Sequence, residues 1–309
     1  MSRWEYRRGL QEVGDGLYAY LQPDGGWGWS NAGLIAGSEG SLLVDTLFDL
    51  HLTREMLEAM RAVAPDISVL VNTHANGDHC WGNELVSGAR IVATARTAAE
   101  MVEGSQPASL QALKATDGAI GEFARRAFGA FDFDGISVTP PSETFSGELR
   151  LEVGGHEVAL LEVGPAHTQG DTLVYVPDQR ILFAGDIVFN GGHPVIWAGP
   201  VSNWIAALDR ILALDLQVLV PGHGPIADKR AAEAMRKHLA YLHGEARARF
   251  QAGMAAEEAA RDIDLSPFAG WGERERVAAN VLELYAEFEG GAGVPAPAAL
   301  AAMAAYSAG

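Results

Sequence analysis

Four separate apolar runs of this chain end in glycine-bearing turns that carry histidine or aspartate, and no other feature restricts its fold as strongly. Ser68–Asn72 runs into T-H-A-N-G-D-H at Thr73–His79, and Glu157–Val163 runs into G-P-A-H-T-Q-G-D at Gly164–Asp171. Arg180–Phe183 continues into F-A-G-D (Phe183–Asp186), and Gln217–Val220 into V-P-G-H-G (Val220–Gly224). Short apolar runs punctuated by glycine read as strands. Polar turns at strand ends can gather at one rim of a sheet, and glycine lets their backbones approach closely. His74, Asp78, His79, His167, Asp186 and His223 are therefore candidates for one cluster. Imidazole and carboxylate together suit zinc and other first-row divalent cations.

The remaining patterning is consistent with an α/β chain. Leu17–Gln22, Gly33–Ala36, Ser41–Asp45 and Ile91–Ala93 read as strands, and Glu148–Val153 with Glu157–Val163 as a hairpin across Gly154-Gly155. Thr172–Val176 and Arg180–Phe183 pair across Pro177-Asp178. Helical spacing predicts helices at Leu50–Ala64, Ser105–Phe131, Trp204–Leu214, Lys229–Ala252 and Arg274–Glu289. Gly290–Gly309 reads as a loose tail or a peripheral helix. A β-rich unit over 1–228 and a helical extension over 229–309 packed on it are expected.

Charge and cysteine content narrow the function classes. Forty acidic residues against 22 basic ones give a net charge of −18, and the basic residues are dispersed. A phosphate backbone would be repelled, so nucleic acid is not an expected partner. No apolar run is long enough to cross a bilayer. The polar N-terminus lacks an apolar leader, and a single cysteine suits a reducing compartment, so a cytoplasmic location is expected. Cys80 reads as a small buried apolar residue. His51, His156, His238 and His243 read as surface or packing residues. The apolar C-terminal helices leave a homodimer open.

The four turns, in this order and spacing, resemble the metal-binding motifs of the metallo-β-lactamase fold superfamily, whose signature is His-x-His-x-Asp-His followed by His, Asp and His. GGWGWSNAG, LFAGD, GHGP and DLSPFAGWGERERVAAN are similar to the actinorhodin-type polyketide cyclase/thioesterase branch. The resemblance implies an αββα sandwich with two metal positions in a groove. It places His74 and His167 at the first, Asp78, His79 and His223 at the second, and Asp186 between them. It further implies a metal-dependent hydrolase of an ester, thioester or lactone, acting on a small acyl substrate, with Asp78 orienting the nucleophile and moving its proton.

One position departs from that pattern. Asn76 stands where the motif has its second histidine, and an amide is a far poorer zinc ligand than imidazole. Unequal sites are therefore expected: one ion held firmly, most simply zinc, and a weak or vacant partner position where Asn76 is a weak ligand or a water contact. Iron and manganese are alternatives. With Asn76 out of the ligand set, His74, His167 and Asp186 match the two-histidine, one-carboxylate pattern of mononuclear non-heme iron oxygenases. A catalytically degenerate metal-binding scaffold is the third reading. Trp27, Trp29, His193 and Trp197 are the expected substrate contacts, because exposed aromatics in glycine-rich turns need something to cover.

Overall fold

The computed structural model describes residues 4–104, 106–291 and 293–308. Ser105, Ala292 and Gly309, which fall within the predicted helical stretch and tail, lie outside the described residues. The chain opens with β1 (Gly9–Gly14), β2 (Leu17–Leu21), β3 (Ala32–Ile35) and β4 (Ser41–Val44), followed by α1 (Leu50–Arg61). The Asp49 side chain accepts from Leu52 N at 2.8 Å to cap α1. Leu52, Met56, Leu57 and Met60 then recur at helical spacing on its buried face. Next come β5 (Ile67–Val71), the one-turn α2 (Gly77–Cys80), β6 (Arg90–Thr94), α3 (Ala95–Glu103), α4 (Pro107–Lys114), α5 (Gly118–Phe128) and β7 (Glu143–Phe145). The seven strands form one sheet in sequence order, antiparallel from β1 to β4 and parallel from β4 to β7.

The second sheet contains β8 (Glu148–Val153), β9 (His156–Glu162), β10 (Thr172–Val176), β11 (Ile181–Phe183) and, beyond α6 (Val201–Ala213), β12 (Val218–Val220). Its order is β12-β11-β10-β9-β8, and only β11 and β12 are parallel. The helices α7 (Lys229–Gln251), α8 (Ala256–Asp262), α9 (Arg276–Phe288) and α10 (Ala296–Ser307) complete the chain. None of the helices among the described residues is long and apolar enough to cross a membrane.

Three apolar layers make this an αββα sandwich. Leu17, Val44, Val71, Leu160, Val174 and Val220 meet between the sheets. Leu43 and Leu70 face α1 across the outer side of the first sheet. Leu173, Leu182 and Leu219 face α6 and α7 on the other side, in one cluster with residues of α8 and α9. The parallel strands β5, β11 and β12 are buried on both faces, which explains their uninterrupted apolar runs.

Several elements differ from the sequence expectation. The edge strand β1 has a mostly half-exposed, non-alternating sequence, so it carries little apolar signal. α3 (ARTAAEMVE) buries only Thr97 and Met101 and was likewise unmarked. The single helix expected over Ser105–Phe131 is divided into α4 and α5, with Gly118 at a positive φ of 79°. The tail takes the helical alternative: α10 packs against α5 and α9, with Met303 fully buried.

Candidate metal centre

All four expected turns open at the same end of the two sheets. β5 delivers Thr73 and His74, and the α2 turn presents Asp78 and His79. The loop between β9 and β10 carries His167, the turn after β11 carries Asp186, and the turn after β12 carries His223. Gly222 lets this last turn pass close by: a Cβ there would lie 1.9 Å from Asp186 Oδ1.

Asp186 lies at the centre. Its Oδ1 is 3.1 Å from His79 Nε2, and its Oδ2 is 3.3, 3.5 and 3.7 Å from Nε2 of His167, His223 and His74. Asp78 Oδ2 is 3.2 Å from His223 Nε2. Each histidine is oriented from behind through Nδ1. His167 donates to Val195 O at 2.8 Å, His223 to Gly25 O at 3.1 Å and His79 to Asp45 Oδ2 at 2.9 Å. The Thr73 hydroxyl donates to Asp45 Oδ2 at 2.7 Å, so its oxygen accepts from His74 Nδ1 at 2.9 Å. Carbonyls and carboxylates only accept, so these contacts place the Nδ1 protons outward and turn every Nε2 toward Asp186.

The arrangement fits a cation. His74 Nε2, His79 Nε2 and Asp186 Oδ1 are buried without a hydrogen-bond partner, and buried polar atoms left unmatched are costly. Two overlapping groups can each hold an ion: His74, His79 and Asp186, and Asp78, His79 and His223. His167 belongs to neither. His74 is grouped with His79 rather than with His167. Asn76 Oδ1 lies 2.7 Å from His167 Nε2. With its Nδ1 proton on Val195, His167 offers only a lone pair there. The amide oxygen also only accepts, so both lone pairs stay available to a cation.

The electrostatics divide the same way. Burial, reinforced by the neighbouring His79, lowers the pKa of His74 to about 4. Burial likewise lowers His167 to about 3, so both rings are neutral. Burial also opposes charge on His223, but Asp186 and Asp78 outweigh it and raise its pKa to about 9. His79 is raised well above its ordinary value because Asp186 and Asp45 overcome its burial.

The cluster floors a cavity of about 270 Å³. Asn76, Asp78, His167, Asp186 and His223 line it together with Trp27, Phe48, Trp81, Phe128 and Trp197. Trp27 and Trp197 are therefore at the cavity as expected. Trp29 and His193 are not on its wall: Trp29 lies against Phe131 with ring centroids 4.8 Å apart, and His193 packs behind it on His238 and Trp271. Gly28 holds this turn at a positive φ of 74°, where a Cβ would strike Phe48.

Sequence reasoning missed three residues at this site. Asp45, at the end of β4, supports both His79 and Thr73, and its only sequence signal was a lone carboxylate closing an apolar run. Asp171 stood inside a noted motif without a role; its carboxylate accepts from Thr168 N, Thr168 Oγ1 and Ala166 N, which fixes the backbone on either side of His167. Arg276 also lines the cavity, from a helix whose charges had read as a solvated face.

Comparison with known proteins agrees with this geometry. The metallo-beta-lactamase superfamily matches residues 25–223. The chain is 27% identical over 205 residues to the 2,4-dinitroanisole O-demethylase subunit alpha of Nocardioides sp. (strain JS1661), covering 65% of this chain and 54% of that protein. It is 23% identical over 209 residues to the acyl-coenzyme A thioesterase MBLAC2 of Homo sapiens, covering 63% and 72%. Its fold superposes on a stereoselective inverting sec-alkylsulfatase from Pseudomonas sp. with a TM-score of 0.67 at 19% identity, over 91% of this chain and 50% of that one. The chain thus spans about half the length of the O-demethylase subunit and the alkylsulfatase. Superfamily members include several hydrolytic enzymes and bind divalent metals. On the extent of the match and the order of its metal-binding turns, the chain belongs to the metallo-β-lactamase superfamily.

Proposed function

We propose that this protein is a metal-dependent hydrolase that cleaves an ester, thioester or lactone with activated water. The observation that carries the reading is the convergence of three orphaned buried atoms, His74 Nε2, His79 Nε2 and Asp186 Oδ1, around a carboxylate that lines a cavity with aromatic walls. His74, Asp78, His79, His223 and Asp186 would hold the ion, which we assign as a single zinc. When bound, a divalent cation supplies hydroxide at neutral pH and an electrophile for the substrate carbonyl. Asp78 lines the cavity beside His223, where its carboxylate can orient the attacking water and take its proton. Trp27, Trp197 and Phe48 offer flat apolar surface to an acyl group of some size, and an aromatic polyketide chain is a narrower candidate of that kind.

Oxygenation through His74, His167 and Asp186 is the weaker reading, because His167 stands outside both groups of side chains that could hold an ion. The test is hydrolysis of a p-nitrophenyl ester and an acyl-coenzyme A thioester by the purified protein. Turnover should vanish with a chelator and return with zinc. Chelator-insensitive turnover, or a zinc-loaded protein inert on every acyl substrate, would overturn the proposal. The second result would leave a metal-binding scaffold without catalysis.

A further inference from the structure

Arg276 is 2% exposed, yet among the described residues no carboxylate lies within ion-pair distance of it. Its one hydrogen bond runs from Nη1 to His193 O at 2.9 Å, and its Nε is buried without a partner. The guanidinium is sandwiched between the Trp27 ring at 4.1 Å and the Phe189 ring at 5.2 Å. Phe189 in turn stacks on His223, with centroids 5.2 Å apart and the planes 7° from parallel. Arg276 is also the sole lysine or arginine among the described residues that line the cavity.

A buried guanidinium is expensive unless an anion meets it, and stacking on two aromatic faces offsets only part of that cost. Glu273 acts on Arg276 most strongly among the acids but lies beyond ion-pair distance, so it offsets only part of that cost. Glu275 accepts from Trp27 Nε1 at 2.8 Å, while Asp186 and Asp78 face the histidines. Burial pulls the Arg276 pKa down, but a guanidinium starts so high that it stays charged. A cation of fixed position, walled by aromatics and open to a cavity beside a hydrolytic centre, is built to receive an oxyanion.

We propose that Arg276 anchors an anionic group of the substrate, so that the protein acts on anionic esters with an apolar or aromatic body. This rests on the hydrolase reading for the word ester, but the anchor itself does not depend on it. The group is a carboxylate beside the scissile bond or a sulfate monoester that is itself cleaved. Both present oxygens that the guanidinium can bind.

The full chain, chelator-treated and zinc-loaded, is titrated with decanoate, decyl sulfate and decan-1-ol below their aggregation limits. Tryptophan fluorescence reports binding, because Trp27 lies against Arg276. At least one anion should bind about ten- to hundredfold more tightly than the alcohol, in both metal states. Arg276→Met should abolish that preference while leaving alcohol binding intact, and Arg276→Lys should keep part of it. Tighter binding of decyl sulfate than decanoate assigns the sulfate, and the reverse assigns the carboxylate. Equal binding of alcohol and anions by the wild-type chain overturns the proposal, whether or not the variants fold. So does a preference seen only with zinc, or one that survives in Arg276→Met. Anion preference without ester hydrolysis would sink the hydrolase reading and leave the anchor standing.

Discussion

The two sides of the metal centre are supported alike but charged differently. On one side stands His167, neutral, held by Val195 O and faced at Nε2 by Asn76 Oδ1. On the other stand Asp78, His79 and His223, where carboxylates and imidazoles face one another at close range and the rings tend toward protonation. His74 is neutral like His167, but it is grouped with His79 and Asp186. The difference teaches that a scaffold can bring every expected side chain to one rim and still group them unequally, with His167 outside both groups that could hold an ion.

The largest effect should come from removing ligands on opposite sides. His223→Ala takes a ligand and the partner of Asp78, and should lower kcat/KM for ester hydrolysis by about a thousandfold, the scale of several kcal/mol of lost charge stabilisation. His167→Ala should lower it by no more than about tenfold, because His167 stands outside both groups that could hold the ion. Steady-state kinetics on the two variants checks this. Equal losses would break the asymmetry.

Metal uptake should depend on pH through the second side alone. In the metal-free protein the His223 pKa is about 9, so a cation must displace its proton at neutral pH. Apparent zinc affinity should rise by at least about tenfold per unit from pH 7 to about 9, measured by competition with a chelating dye. Stability shows the same linkage. A folded-state pKa raised above the ordinary 6.5 contributes stability that is complete below 6.5 and disappears as pH approaches about 9. The metal-free melting temperature should therefore fall across that window while the zinc-loaded protein holds. A flat affinity profile would mean that the neutral side takes the ion.

Much of this site was legible in the sequence because its ligands sit where apolar strands stop. That boundary is a one-dimensional signal for a three-dimensional rim, and it located His74, Asp78, His79, His167, Asp186 and His223. The supporting residues were harder to see. Asp45 closes a strand in the same manner, but its turn, Asp45–Asp49, carries no histidine, so nothing in its neighbourhood suggested metal. Arg276 sits in the acidic and basic run G-E-R-E-R, which resembles any solvated helix start. Only the packing of α9 beneath Trp27 buries it. The grouping of His74 with His79 was also out of reach, since it depends on how the side chains of separate turns are placed. At the level of fold, the buried parallel strands announced themselves, whereas β1 and α3 bury too little apolar surface to leave a pattern.

Asp45→Asn sharpens the comparison from behind the ligands. An amide in place of the carboxylate weakens the acceptor for His79 Nδ1 and for the Thr73 hydroxyl that steadies His74. Zinc affinity should drop about ten- to hundredfold, the usual range for such supporting carboxylates. Asp171→Asn, which disturbs only the loop of His167, should change zinc affinity by less than about threefold. A calorimetric zinc titration of both variants decides it, and the reverse ranking would place the ion on the His167 side.

The smallest expected change is one of stoichiometry, and it addresses the cause of the asymmetry directly. Asn76→His replaces the amide whose Oδ1 faces His167 Nε2 with a second imidazole on the same turn, a far stronger ligand. His167 would then ligate alongside His74 and the new ring, with Asp186 shared. Elemental analysis of protein purified without added metal should change from about one ion per chain to about two. The Asp78, His79 and His223 contacts lie on the far side of Asp186, so the first ion should keep its affinity. If Asn76→His still holds one ion, the amide is not what closes the first side, and the division must come from charge alone. If the wild-type chain already holds two, Asn76 serves as a ligand through the oxygen that faces His167.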